Sequence, residues 1–194
     1  MRWVTYLSPR DGRERAGVLR DGEIHGRGDD LISALAGGGD GVVEVVPEHE
    51  ATLRSPVPAP PSIRDFMAFE EHVVTSMCEL GRTIDPVWYE LPAFYFTNPA
   101  AVLGPEDPVP ISPGSSAFDY ELEIAAVIGR PGANIAVSEA AAHIAGYTIL
   151  CDWSARDLQE REMQVGLGPV KSKDSATTIG PCLVTSDELA DRRG

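Results

Sequence analysis

Apolar and polar residues alternate in short bursts over the first fifty positions. "RWVTYL" (2–7) and "AGVLRDGEIHG" (16–26) have strand composition. The Asp21–Gly22 pair inside the second marks a hairpin, since a two-residue turn needs left-handed backbone that Asp and Gly accept. "DDLISALAGG" (29–38) predicts a short helix stopped by glycines, and "GVVEVV" (41–46) another strand. "RSPVPAPPS" then carries four prolines in six positions, which neither a helix nor a central strand tolerates. The pattern therefore predicts a small β-rich N-terminal domain over 1–55 and a second domain over 62–194.

Beyond the prolines, Ser62 and Asp65 have the spacing of a helix start. A helix is predicted from Arg64 to Leu80, ended by Gly81, with Asp65, Phe69 and His72 on one face. Residues 85–112 are aromatic and interrupted by proline, which predicts short strands and loops. "SEAAAHIAGY" reads as a short helix, "TILCDWS" as a strand, "ARDLQEREMQ" as a helix and "TTIGPCLVT" as a final strand.

One strand is unusual. In "FDYELEIAAVIG" (118–129), period-two alternation puts Asp119, Glu121, Glu123, Ala125 and Val127 on one face, acidic at one end and apolar at the other. Tyr120, Leu122, Ile124, Ala126 and Ile128 form a wholly apolar opposite face, so the segment reads as a buried strand. Solvent exposure accounts for the acids but not for the apolar residues that continue their row.

Composition narrows the function classes. The chain is 43% hydrophobic over 194 residues, enough for a real core, and no apolar run approaches the roughly 18 residues of a membrane span. A formal charge of −14 and no basic stripe argue against nucleic acid. Two of the sixteen basic residues are lysines, Lys171 and Lys173, side by side in "KSKD". Cys78, Cys151 and Cys182 lack metal or redox spacing and are expected to be buried free thiols, which with a start unlike a secretory signal points to the cytoplasm.

Glu121 and Glu123, two apart on one strand face, point into the same space, as the oxygen ligands of a hard cation do. Asp152, an acid ending the apolar strand "TILCDWS", is a candidate third ligand. Each of these acids taken singly also reads as an ordinary strand-end carboxylate. Arg156 and Gln159 are i, i+3 neighbours able to hold one anionic group, or are a surface pair.

Together and in order, "DYELE", "CDWSARDLQ" and "KSKDSATTIGP" resemble the fumarylacetoacetate hydrolase family, with "DWSARDLQ" the most specific stretch. The resemblance implies an α+β, mainly β fold: a mixed β-roll behind the small N-terminal domain. It implies metal-binding acids at Glu121, Glu123 and Asp152, with Asp65 as the further acid some members use. It places a catalytic base at His72, substrate-contacting or oxyanion-stabilising groups at Arg156, Gln159 and Lys173, and a substrate-contacting tyrosine at Tyr95. Lys171 falls on no family position. The implied cofactor is Mg²⁺, or Mn²⁺ or Ca²⁺, since oxygen-only ligands favour hard ions. The implied activity is metal-dependent hydrolysis of a C–C bond in a 1,3-dicarbonyl or acylpyruvate-type substrate. The alternatives are an oxaloacetate decarboxylase, a 2-hydroxyhepta-2,4-diene-1,7-dioate isomerase, or a non-catalytic metal-binding remnant. A homodimer acting on a small oxo acid or diketone, with no nucleic-acid or membrane partner, is expected. Family members continue beyond "DELADRRG", so the chain is expected to be a fragment or to carry an incomplete site.

Overall fold

The structure, a computed structural model, describes residues 1–28, 30–35, 41–79 and 81–192. Strand β1 (Arg2–Leu7) pairs antiparallel with β2 (Glu14–Arg20), which turns through Asp21 and Gly22 into β3 (Glu23–Gly26). Both turn residues have positive φ, 52° and 77°, as the sequence predicts for a two-residue hairpin. Helix α1 (Leu31–Leu35) follows, and β4 (Glu44–Pro47) then pairs with β3. The glycines expected to stop α1, Gly37 and Gly38, lie outside the described residues.

β1 is buried on both sides because its alternation feeds two clusters. Trp3 packs with Ala16, Val18, Leu31 and Leu183, while Val4 and Tyr6 pack with Ile24, Val46 and Leu53. Each of these side chains contributes roughly 1.5–3 kcal/mol on leaving water. Gly26 is required here: a Cβ on it would stand 2.0 Å from the Tyr6 hydroxyl, which donates to the buried Glu44 at 2.7 Å.

Past β5 (Thr52–Arg54) and the prolines, the predicted helix over 64–80 is replaced by two elements. Residues Ile63–Phe66 form strand β6, and only Glu70–Glu79 form a helix, α2; Leu80 lies outside the described residues. β6 pairs with β7 (Phe94–Thr97), setting Asp65 opposite Tyr95 and Arg64 opposite Phe96. A partner strand some thirty residues away outweighs the local helix-start signal at Ser62. Asp65 and His72 therefore do not share a helix face.

β8 (Val102–Leu103) leads to the long β9 (Phe118–Ile128). The helix expected in "SEAAAHIAGY" is one turn, α3 (Val137–Ala140), because β10 (Ile144–Ala155) starts earlier than "TILCDWS" suggested and pairs along all of β9. Helix α4 (Arg156–Glu162) follows directly. "TTIGPCLVT" divides into β11 (Thr177–Ile179) and β12 (Leu183–Val184) on either side of Gly180–Pro181, where proline has no N–H to give a ladder. Among the described residues, ten strands form one sheet in the order β4-β3-β2-β1-β12-β10-β11-β8, with β5 added to β1 and β9 to β10; β6 and β7 form a second. β1 and β12 meet at Arg2↔Val184 and Trp3↔Leu183, joining the N-terminal strands to the long hairpin. The fold is α+β and mainly β.

β9 is covered on one face and not, as the sequence suggests, on both. Its acidic face is the partly covered one, whereas Leu122 and Ile124 on the apolar face are 70% and 72% exposed. Cys151 and Cys182 are partly buried but Cys78 is exposed at the end of α2, and all three thiols are free. No helix among the described residues is long and apolar enough to cross a membrane.

Candidate metal centre

The β9–β10 register builds the centre. Glu121 lies opposite Asp152, Glu123 opposite Leu150, and Asp119 opposite Ser154, so five polar side chains of two adjacent strands collect at one end of the hairpin. The β6–β7 pair adds Asp65 and Tyr95 from across the space, and a turn at Lys171–Lys173 inserts Lys173. One carboxylate oxygen each of Asp65, Glu123 and Asp152 lies within 4.8 Å of the others. Asp152 is 1% exposed, and its Oδ1 has no hydrogen-bond partner.

Glu121 stands beside this trio and is held by two cations. Lys173 Nζ donates to its Oε2 at 2.8 Å, and Arg156 Nη1 donates to its Oε1. Lys173, 3% exposed, also donates to Asp152 Oδ2 at 2.7 Å and to Ser154 Oγ at 2.9 Å. Arg156 further grips Asp119 through Nε and Nη2, both at 3.1 Å, and donates to Gln159 Oε1 at 3.2 Å. Tyr95 donates at the same point to Asp65 Oδ2 at 2.6 Å and to Asp152 Oδ2. A phenol has one proton, so two ionised carboxylates cannot both be satisfied by it.

Electrostatics record this crowding. Burial, then the charges of Asp65 and Asp152, push the Glu123 carboxyl up to about 8. Burial also raises Asp152, and Lys173 offsets only part of that. At Glu121 burial acts upward, but Lys173 and Arg156 outweigh it and hold the group below its ordinary value. Burial works against the Lys173 ammonium, yet Asp152 and Glu121 keep its pKa above the ordinary range. Burial and Asp152 hold Tyr95 protonated far above a normal phenol. Among the described residues, Asp65, Asp119, Glu121, Glu123 and Asp152 as a group are paired with two cationic side chains, Lys173 and Arg156. Protons or a multivalent cation must balance the excess.

The donors fit a hard divalent ion: all are oxygens, one is a buried orphan, and three converge. Of the residues expected from sequence, Asp65, Tyr95, Glu121, Glu123, Asp152, Arg156, Gln159 and Lys173 are brought into one connected network. His72 is exposed on α2 and its ring has no hydrogen-bond partner among the described residues, and Lys171 is exposed 4.0 Å from Asp174. Sequence reasoning passed over Ser154 and gave Asp119 no role. Ser154 lies two residues beyond Asp152 on the same strand face, so period-two alternation points to it. Asp157 was missed as well. From α4 it accepts Ser115 Oγ at 2.7 Å and Ser116 N–H at 2.8 Å, tying down the segment that enters β9.

Comparison with known proteins shows the family. Residues 62–194 match the family profile described as fumarylacetoacetate (FAA) hydrolase C-terminal. The chain is 37% identical over 150 residues to mitochondrial oxaloacetate tautomerase FAHD2A of Homo sapiens, covering 76% of this chain and 45% of that protein. It is 34% identical over 143 residues to oxaloacetate tautomerase YisK of Bacillus subtilis (strain 168), covering 73% and 46% respectively. The matches thus span about half the length of these relatives. Among solved structures, the fumarylacetoacetate hydrolase of Exiguobacterium antarcticum superposes with a TM-score of 0.70 at 26% identity, over 96% of this chain and 67% of that one.

Proposed function

The chain belongs to the fumarylacetoacetate hydrolase family, and from that premise we propose that it binds a divalent cation through Asp65, Glu123 and Asp152, with Glu121 alongside, and interconverts the keto and enol forms of a small 2-oxo acid such as oxaloacetate. The observation that carries this reading is the convergence of three carboxylate oxygens on a buried site whose Asp152 Oδ1 has no partner. When bound, the cation supplies Lewis acidity toward the oxygens of the oxo acid.

The chain's own residues stabilise the charge that develops on oxygen. Tautomerisation moves one proton between carbon and oxygen, with enolate character between. Lys173, charged and held by Asp152, Glu121 and Ser154, offers a donor to the oxygen end. Such a donor in a water-poor site is worth about 3–4 kcal/mol of transition-state stabilisation. Tyr95 keeps its proton at neutral pH and is a second donor beside Asp152. Arg156 holds Glu121 from the α4 side and also donates to Gln159. Decarboxylation of oxaloacetate, which leaves the enolate of pyruvate with loss of CO2, and isomerisation of a dienedioate, which passes through a dienolate, also develop enolate charge that the same donors can stabilise.

Hydrolysis of a C–C bond is a second reading, supported by the likeness to the Exiguobacterium hydrolase. It needs a base that takes a proton from water, and His72 is the candidate; among the described residues its ring has no orienting partner. The two readings separate on one panel. Loss of the oxaloacetate enol absorbance should accelerate with Mg²⁺ or Mn²⁺ and survive His72→Ala. Acylpyruvate cleavage, if present, should fall about 10²–10⁴-fold in the same variant. No metal-dependent acceleration on any of these substrates would defeat the enzymatic reading.

A further inference from the structure

Lys173 reaches the acids from a single turn, Lys171–Lys173, where Lys173 N–H donates to Val170 C=O at 3.3 Å and Asn98 Nδ2 donates to the C=O of Asp174, the next residue, at 3.1 Å. The densest set of further bonds to the turn comes from Glu162, the last residue of α4. Its Oε1 accepts the N–H groups of Val170 at 3.0 Å and Ser172 at 3.1 Å, together with the Ser172 hydroxyl. Its Oε2 accepts the Lys171 N–H at 2.7 Å. Three successive backbone donors thus converge on one carboxylate. Between Glu162 and Val170 the chain loops out through exposed Met163, Val165 and Leu167, with Gly166 and Gly168 at positive φ, so the loop packs too little to fix the turn itself. Burial acts to raise the Glu162 carboxyl, but these hydrogen bonds outweigh it and keep the group ionised.

We propose that Glu162 is a positioning residue for Lys173: it clasps the turn that carries the lysine and so sets where the ammonium stands between Glu121, Asp152 and Ser154. The inference deepens the proposed function and rests on Lys173 being the donor there. Misplacing such a group by about 1 Å can cost on the order of a hundredfold in rate.

The composition makes a direct test possible, because Lys171 and Lys173 are the two lysines of the whole chain. Acylation by N-hydroxysuccinimidyl acetate, resolved by peptide mass spectrometry, should label exposed Lys171 and spare buried Lys173 in the parent protein. Glu162→Gln keeps one acceptor but sets an amide N–H₂ against the Lys171 N–H. Labelling of Lys173 relative to Lys171 should then rise about tenfold or more, as local opening replaces a fixed turn. An unchanged ratio in a variant that melts like the parent would overturn the proposal. If Glu162→Gln lowers the melt, Ser172→Ala removes a single bond of the clasp and is read in the same way: a raised ratio supports the proposal and an unchanged ratio overturns it. In turnover, Glu162→Gln should lower kcat in the parent and cost nothing further in a Lys173→Met background, and an additive loss would count against action through Lys173. The labelling result stands even if no oxo acid is turned over, so failure of the clasp and failure of the proposed reaction remain distinct.

Discussion

Asp152 shows how much one side chain decides. It is buried, holds Lys173 through Oδ2, leaves Oδ1 without a hydrogen-bond partner and brings one carboxylate oxygen close to Asp65 and Glu123. Asp152→Asn or Glu123→Gln should weaken Mg²⁺ binding by about tenfold or more, because each removes a charged oxygen from a hard ion. Calorimetric titration checks this, and unchanged affinity in both would remove the centre. Glu123 also sets a pH dependence. Its carboxyl is raised from 4.5 to about 8 in the folded chain, so the folded state binds more protons than the unfolded state between those values. The stability it contributes is complete below 4.5 and is lost as pH rises through about 8. Asp152 is shifted in the same direction. Without added metal, the melting temperature should fall from pH 5.5 to 8.5, and saturating Mg²⁺ should flatten the slope by taking the place of the protons. Thermal melts across that range, with and without Mg²⁺, measure both.

At the scale of elements, the break between β6 and α2 matters most. Asp65 belongs to a strand locked to Tyr95, whereas His72 sits on a helix that begins at Glu70. The two should therefore act independently. Asp65→Asn should weaken Mg²⁺, and His72→Ala should leave the affinity within about twofold, as expected for sites that share no partners. A large loss of Mg²⁺ affinity in His72→Ala would mean that α2 closes onto the centre. The hairpin at Asp21–Gly22 was legible because two residues carry the whole signal. The β6 strand was not, since its partner β7 lies beyond a helix and a loop and no local window contains both.

Taken whole, the molecule has its best-packed core under β1–β4, while the β9–β10 hairpin presents an apolar outer face. On that face Tyr120, Leu122, Ile124 and Ile128 are all exposed, and among the described residues β9 is hydrogen-bonded along one edge, to β10. An unpaired edge beside exposed apolar side chains favours association. Leu122→Lys with Ile124→Lys should reduce concentration-dependent self-association in light scattering while leaving Mg²⁺ affinity unchanged, since both side chains point away from Glu121 and Glu123. Equal scattering from parent and variant at every concentration would show that this face does not drive assembly.

Period-two alternation alone determined that Glu121 and Glu123 share a face, and the stretch "DWSARDLQ" carried Asp152, Arg156 and Gln159 together with the family. These are short-range facts, held in residues a few positions apart. Which face of β9 is covered, that Asp65 arrives on a strand, that Glu121 is held by Lys173 and Arg156, and that Glu162 clasps the lysine turn were decided by tertiary structure. Each depends on segments that meet only after the chain has closed its sheets, and the burial and charge that result belong to no single segment.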